Sequence, residues 1–193
     1  MDNNIWHLTG VMEENFNDYK LPSMLISTGF CDDKCSKDLF KSKYERGCSL
    51  CHNDKLVETT PYTFRELLET YTANIITKAL VIAGKEPMKE FYILLELVKY
   101  FRTLSSDDIV IYTGYNKFEV LDKIKELEKF PNIIVKYGRW IPYTKKIYDE
   151  VLGIELWSCN QYAERLDNQN KKIGWYTEKE FEKSCKILHG EVL

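Results

Sequence analysis

Four of the chain's six cysteines fall in one stretch, GFCDDKCSKDLFKSKYERGCSLCHND, running from Gly29 to Asp54. Cys31, Cys35, Cys48 and Cys51 form a C-x3-C-x12-C-x2-C pattern. Four thiolates close a tetrahedral structural zinc site, and both pairs fall within the spacing that zinc tolerates. Cysteine thiolates also hold iron-sulfur clusters, and a cluster with only three protein ligands leaves one iron open to substrate. Two disulfides, or four unrelated core thiols, are the remaining uses. The spacing alone leaves zinc and iron-sulfur level.

The compartment narrows these uses. The opening residues, MDNNIWHLTG, lack the basic start and apolar run of a secretory signal. No stretch approaches the roughly 18 apolar residues of a membrane span. A cytoplasmic location is expected, where structural disulfides are rare and clustered cysteines serve as metal ligands or redox groups. Cys159 and Cys185 stand far from the stretch and read as small core or surface residues. His7 and His189 have no partner at metal-binding spacing and read as structural.

With 193 residues, 44% hydrophobic and 30% charged, the composition fits one globular domain over residues 1–193. A net charge of -3 supplies no broad positive field, so neither nucleic acid nor an anionic membrane is an expected partner.

The elements that must position the cysteines follow from hydrophobic patterning. PSMLIST (Pro22 to Thr28) reads as a buried strand feeding into the cysteine stretch. Thr63 and Glu66 have capping-box spacing ahead of a helical stripe of Phe64, Leu67, Leu68 and Tyr71. KALVIAG (Lys78 to Gly84) is a strand, followed by a helix with Phe91, Leu94, Leu95, Val98 and Phe101 inward. DDIVIYTG (Asp107 to Gly114) is a strand, then comes a helix carrying Leu121, Ile124 and Leu127, then the strand NIIVKYG (Asn132 to Gly138).

Ile5 to Val11 is weakly strand-like, Leu152 to Leu166 supplies one or two more strands, and Thr177 to Leu188 reads as an amphipathic tail helix. Such alternation predicts an α/β fold, a mainly parallel sheet with helices over its faces, and sites at the C-terminal strand ends. The cysteine stretch, AGKEPM and TGYN each follow a predicted strand and so share one edge. RWIPYTKKIYDE (Arg139 to Glu150) mixes aromatics and cations, as a partner-binding loop or an ordinary surface does.

Several motifs in order carry a family resemblance. GFCDDKC after an apolar strand, with a last cysteine followed by His52 and Asn53, resembles radical S-adenosylmethionine (SAM) enzymes. Within them it resembles the activating proteins of anaerobic ribonucleoside-triphosphate reductase. AGKEPM (Ala83 to Met88) resembles their Gly-Gly-Glu-Pro motif, with Ala83 at the first glycine and Lys85 inserted before Glu86. IYTGYN (Ile111 to Asn116) resembles their Tyr/Trp-Thr-Gly-Tyr segment, and SCNQ (Ser158 to Gln161) their Ser-x-Asn-Gln.

The resemblance implies a partial (βα) barrel with one 4Fe-4S cluster and SAM at the strand ends. It implies an oxidoreductase that installs a glycyl radical on the reductase, with a flavodoxin- or ferredoxin-type electron donor. Gly84 and Glu86 are then expected to orient the amino group of SAM, while Thr113, Gly114, Asn160 and Gln161 contact SAM or shape its pocket. No catalytic acid or base is required beyond cluster and SAM.

Residues Ser36 to Gly47 resemble an insertion between ligands, which leaves two ligand sets open. One set is Cys31, Cys35 and Cys51. The other replaces Cys35 by Cys48, as in some 7-carboxy-7-deazaguanine synthases with an enlarged cluster loop. The first is preferred because CDDKC directly follows a strand and CHN keeps the family's ending. Two other functions stay open: a radical SAM enzyme acting on a small molecule, such as a deazapurine precursor, and a non-catalytic zinc-binding interaction module. The short chain leaves little room for a small-molecule loop set, which favours a protein substrate.

Overall fold

The apolar runs of the sequence become strands of one mixed, seven-stranded sheet. The computed structural model describes residues 4–33, 53, 58–141 and 144–166. In chain order these form strands β1 (Ile5–Asn15), β2 (Ser23–Thr28) and β3 (Thr60–Thr63), then helix α1 (Phe64–Ala73). There follow β4 (Ala79–Gly84), α2 (Phe91–Arg102), β5 (Asp108–Tyr112), α3 (Leu121–Leu127) and β6 (Ile133–Tyr137). β7 (Ile147–Asp149), β8 (Ile154–Leu156) and β9 (Tyr162–Arg165) complete the set, and β7 and β8 pair as a separate ribbon. The expected tail helix over 177–188 lies outside the described residues.

The sheet order is β3-β1-β2-β4-β5-β6-β9. β2, β4, β5 and β6 are parallel neighbours, as the strand-helix alternation predicts. The flanks are not parallel: β1 pairs antiparallel with β2 and β3, and β9 antiparallel with β6. The expectation of a mainly parallel sheet therefore holds for the four central strands, and the whole is an α/β fold built on a mixed sheet. Thr28 pairs with Gly84, Ile82 with Ile111, and Tyr112 with Lys136, so the C-terminal ends of the central strands lie along one edge. Because β9 runs antiparallel to β6, Tyr162 opposite Tyr137 brings the start of β9 to that same edge.

Helices cover one face of the sheet. Leu67 and Leu68 of α1, Leu94, Leu97, Val98 and Phe101 of α2, and Ile124 and Leu127 of α3 pack on Ile26, Ile82, Ile111 and Val135. The Thr63–Glu66 capping box starts α1: Glu66 N–H donates to Thr63 Oγ1 (3.2 Å), and Thr63 N–H donates to Glu66 Oε2 (2.7 Å). Two stripe positions differ from expectation. Leu97 takes the fully buried place expected of Leu95, and Leu121 is 45% exposed because it opens α3, before the helix meets the sheet.

Among the described residues the opposite face carries no helix. Val81, Val110 and Ile134 are covered instead by Tyr19 and by Leu152 and Leu156 of the β7–β8 ribbon. No helix among the described residues is long and apolar enough to cross a membrane.

Gly84 ends β4 with φ +88°, and a Cβ there would stand 2.6 Å from Thr28 N. Both backbone sterics and close approach to β2 demand glycine. Gly84→Ala is expected to cost about 1–3 kcal/mol in denaturant unfolding, whereas Gly10→Ala, with nothing within 4 Å of the new Cβ, changes stability by less than about 0.5 kcal/mol. In the same assay Leu94→Ala is expected to lose about 2–5 kcal/mol and Leu121→Ala about 1 kcal/mol or less.

Candidate functional site

The loops leaving the central strands meet around a cleft of about 380 Å³ at the C-terminal edge. Its floor is the face opposite α1, α2 and α3, with Leu25, Ser27, Ala83, Tyr112 and Lys136 contributed by successive strands. Its rim includes Cys31, Asn53, Gly84, Lys85, Glu86, Thr113, Gly114, Trp140, Trp157 and Gln161. Of the residues singled out from sequence, Cys31, Gly84, Glu86, Thr113, Gly114 and Gln161 are therefore brought together. Cys35, Cys48 and Cys51 lie outside the described residues, as does His52. Asn160 stands just behind the rim.

Glu86 is the centre of the arrangement. Its side chain accepts from Met88 N–H (3.0 Å), capping a 3-10 turn at Pro87–Glu90. The same oxygen, Oε1, accepts from Thr113 Oγ1 (2.7 Å), and Oε2 accepts from Gly114 N–H (2.8 Å). Thr113 Oγ1 in turn accepts from Tyr115 N–H (3.0 Å). A carboxylate has about four acceptor sites, so the three donors leave room for one more, on Oε2. Burial pushes the Glu86 carboxyl upward, opposed by the hydrogen bonds from Thr113, Gly114 and Met88.

The residues of AGKEPM that depart from the family motif have clear places. Gly84 keeps the glycine that the backbone requires, and the Ala83 methyl adds to the apolar floor. The inserted Lys85 extends the β2–β4 pairing one residue past Gly84, since its N–H donates to Thr28 O at the end of β2 (3.2 Å). Glu86 N–H then donates to Phe30 O (2.9 Å), one residue before Cys31. Asn53 Nδ2 donates to Gly84 O, so the residue two places after Cys51 is anchored at the cleft.

Cys31 is partly exposed, and its Sγ accepts from Asp33 N–H at 3.3 Å. Asp33 has φ 55°, a left-handed conformation that Asp tolerates better than most residues. Burial raises the Cys31 thiol pKa, and the charges of Asp33, Asp32 and Glu86 raise it further. Amide-to-sulfur bonds of this kind are a feature of cluster ligation, and a bound metal keeps a coordinating thiolate deprotonated. The chemistry of this donor fits the cluster. Among the described residues no three His, Cys, Asp or Glu gather as a metal site, since Cys31 is the only cysteine of the stretch that they include.

SCNQ forms a clamp on the backbone that follows β6, with Gln161 on the cleft rim. Asn160 Nδ2 donates to Arg139 O (2.8 Å) and Gln161 Nε2 to Gly138 O (3.2 Å), while Gln161 Oε1 accepts from Ser158 N–H (3.2 Å). Asn160 Oδ1 is enclosed with no hydrogen-bond partner among the described residues.

Sequence reasoning missed several residues of this site. Arg139 makes a two-bond ion pair with Glu119 (2.9 and 3.0 Å) and lies 5.5 Å from the Tyr115 ring centre. Lys136 is buried with its ammonium 2.9 Å from Gly138 O. Tyr115 donates its hydroxyl to Asp32, the residue after Cys31. The only sequence signal for Lys136 is a charged residue within an otherwise apolar strand run; the long-range pairs left no periodic signal. β7, within the aromatic and cationic stretch read as a loop, instead pairs with β8, whose residues help line the cleft.

Comparison with known families points to an iron-sulfur protein, through a match that begins two residues after Cys31. A family model described as a 4Fe-4S single cluster domain matches residues 33–161, more than half of the chain. That match takes in Cys35, Cys48 and Cys51 as well as the Glu86, Thr113 and Gln161 loops. No curated protein matches the chain. On the family match over more than half of its length, the chain belongs to the 4Fe-4S single cluster domain family.

Proposed function

We propose that this protein is a cytoplasmic radical SAM activating enzyme that installs a glycyl radical on anaerobic ribonucleoside-triphosphate reductase. The observation that carries the reading is the convergence of Cys31, Gly84, Glu86, Thr113, Gly114 and Gln161 on one cleft. These residues come from four separate motifs of the radical SAM resemblance, spread over 131 positions of the sequence from Cys31 to Gln161. The parallel β2-β4-β5-β6 core supports the reading, since a (βα) barrel carries its sites at the C-terminal ends of parallel strands.

In this reading Cys31, Cys35 and Cys51 would hold the cluster, which, when bound, would supply one-electron reductive cleavage of SAM for hydrogen-atom abstraction from a glycine of the reductase. The protein's own work is orientation. The remaining acceptor site of Glu86 Oε2, held by Gly114 N–H, receives the amino group of SAM. Gly84 has a second lone pair on its carbonyl beside the bond from Asn53. Thr113 is fixed as donor to Glu86 and acceptor from Tyr115, so its role is to keep the carboxylate aimed. Gln161 and Asn160 shape the β6 end of the pocket. A flavodoxin- or ferredoxin-type protein supplies the electron.

Anaerobic reconstitution with iron and sulfide, followed by dithionite and SAM, tests this directly. The expected outcome is absorbance near roughly 400 nm from the cluster, 5'-deoxyadenosine in the presence of SAM, and a glycyl radical signal when the reductase is added. Cys31→Ser, Cys35→Ser and Cys51→Ser are expected to lose the cluster, and Cys48→Ser to keep it. Zinc as the sole bound metal, or a cluster that never cleaves SAM, contradicts the reading.

A further inference from the structure

Asp32 directly follows Cys31 and gathers partners from two other strand-end loops. Tyr115, beyond β5, donates its hydroxyl to Asp32 Oδ2. Lys89, on the 3-10 turn beyond β4, brings its ammonium to 3.6 Å from the same oxygen. The side chains of Asp32 and Lys89 are only 26% and 35% exposed, so water screens their charges less than on an open surface. The backbone on the other side of Cys31 is also tied, because Phe30 O accepts from Glu86 N–H. Cys31 is thus held from both sides, with its sulfur already accepting the Asp33 N–H.

We infer that Asp32, held by Tyr115 and Lys89, is a positioning residue that fixes Cys31 and sets the reduction potential of the cluster bound there. The physical reason is charge. Reduction adds one negative charge to the cluster, and a carboxylate on the residue adjoining a ligand opposes that addition; net charge and bonds to the sulfurs are the protein's levers on such potentials. Tyr115 and Lys89 partly offset the carboxylate, and their placement gives the network opposite signs at its members. Weakening the carboxylate eases reduction, whereas removing either partner leaves the carboxylate less compensated and hinders it.

The inference rests on the cluster reading and not on SAM cleavage, so it stands or falls separately from the proposed reaction. Its test uses the full chain with Asp32→Asn, Tyr115→Phe and Lys89→Met. After reconstitution, midpoint potentials are read by EPR-monitored redox titration without SAM. Asp32→Asn is expected to shift the potential to less negative values, and Tyr115→Phe and Lys89→Met to more negative ones. In the cluster-free chain, alkylation of Cys31 by iodoacetamide, followed by mass spectrometry, is expected to be at least twofold faster in Asp32→Asn and Tyr115→Phe than in the wild type.

A general loosening of the fold moves all three potentials in one direction, and that result overturns the inference, as do three unchanged potentials or equal alkylation rates. Should Asp32→Asn fail to take up iron while keeping its circular dichroism, Tyr115→Phe and Lys89→Met still carry the test of sign. A wild-type chain that takes up no cluster overturns this inference and the cluster reading together. A wild-type cluster that leaves SAM intact removes only the proposed reaction.

Discussion

One buried carboxylate organises the strand edge on which everything else depends. Glu86 bonds to its own turn through Met88 N–H and to the β5 loop through Thr113 and Gly114. Its backbone N–H holds Phe30 next to Cys31. Three loops far apart in sequence are thereby fixed relative to one another by short bonds to a single residue. A buried acid of this kind costs desolvation, which the elevated carboxyl pKa reflects, and the three donors offset that cost. In the proposed reading, the remaining acceptor position receives the amino group of SAM.

The division of the two sheet faces serves the same end. α1, α2 and α3 bury one face in the larger core, and among the described residues Tyr19 and the β7–β8 ribbon cover the other. A ribbon covers less than a helix layer, and the cleft opens where β8 and Trp157 meet the floor of Ala83, Tyr112 and Lys136. Alternation along the central strands therefore decides which side chains stiffen the protein and which reach the cleft. Ile82 and Ile111 go to the helices, and Ala83 and Tyr112 to the cleft.

Much of this was legible in the sequence where a local rule acts. The four parallel strands are continuous apolar runs, α1 announces itself by its capping box, and AGKEPM, TGYN and SCNQ sit at strand ends as the alternation demands. What escaped was short or long-range. β3 is four residues including Pro61, and β7 is three residues among lysines, so neither has enough alternation to signal a strand. Leu121 fits the helical period but precedes the contact with the sheet. The Tyr115–Asp32 bond spans 83 residues, and Arg139 meets Glu119 through a turn; only the tertiary fold makes them neighbours.

The central claim is that a 4Fe-4S cluster held by three cysteines, Cys31 among them, offers an open iron to SAM at this cleft. Mössbauer spectroscopy of the chain reconstituted with iron-57, recorded with and without SAM, tests it most directly. The account predicts that one iron of the four changes its isomer shift when SAM is added, while the other three keep theirs. A spectrum that SAM leaves unchanged, with all four irons alike and bound by four thiolates, would contradict it.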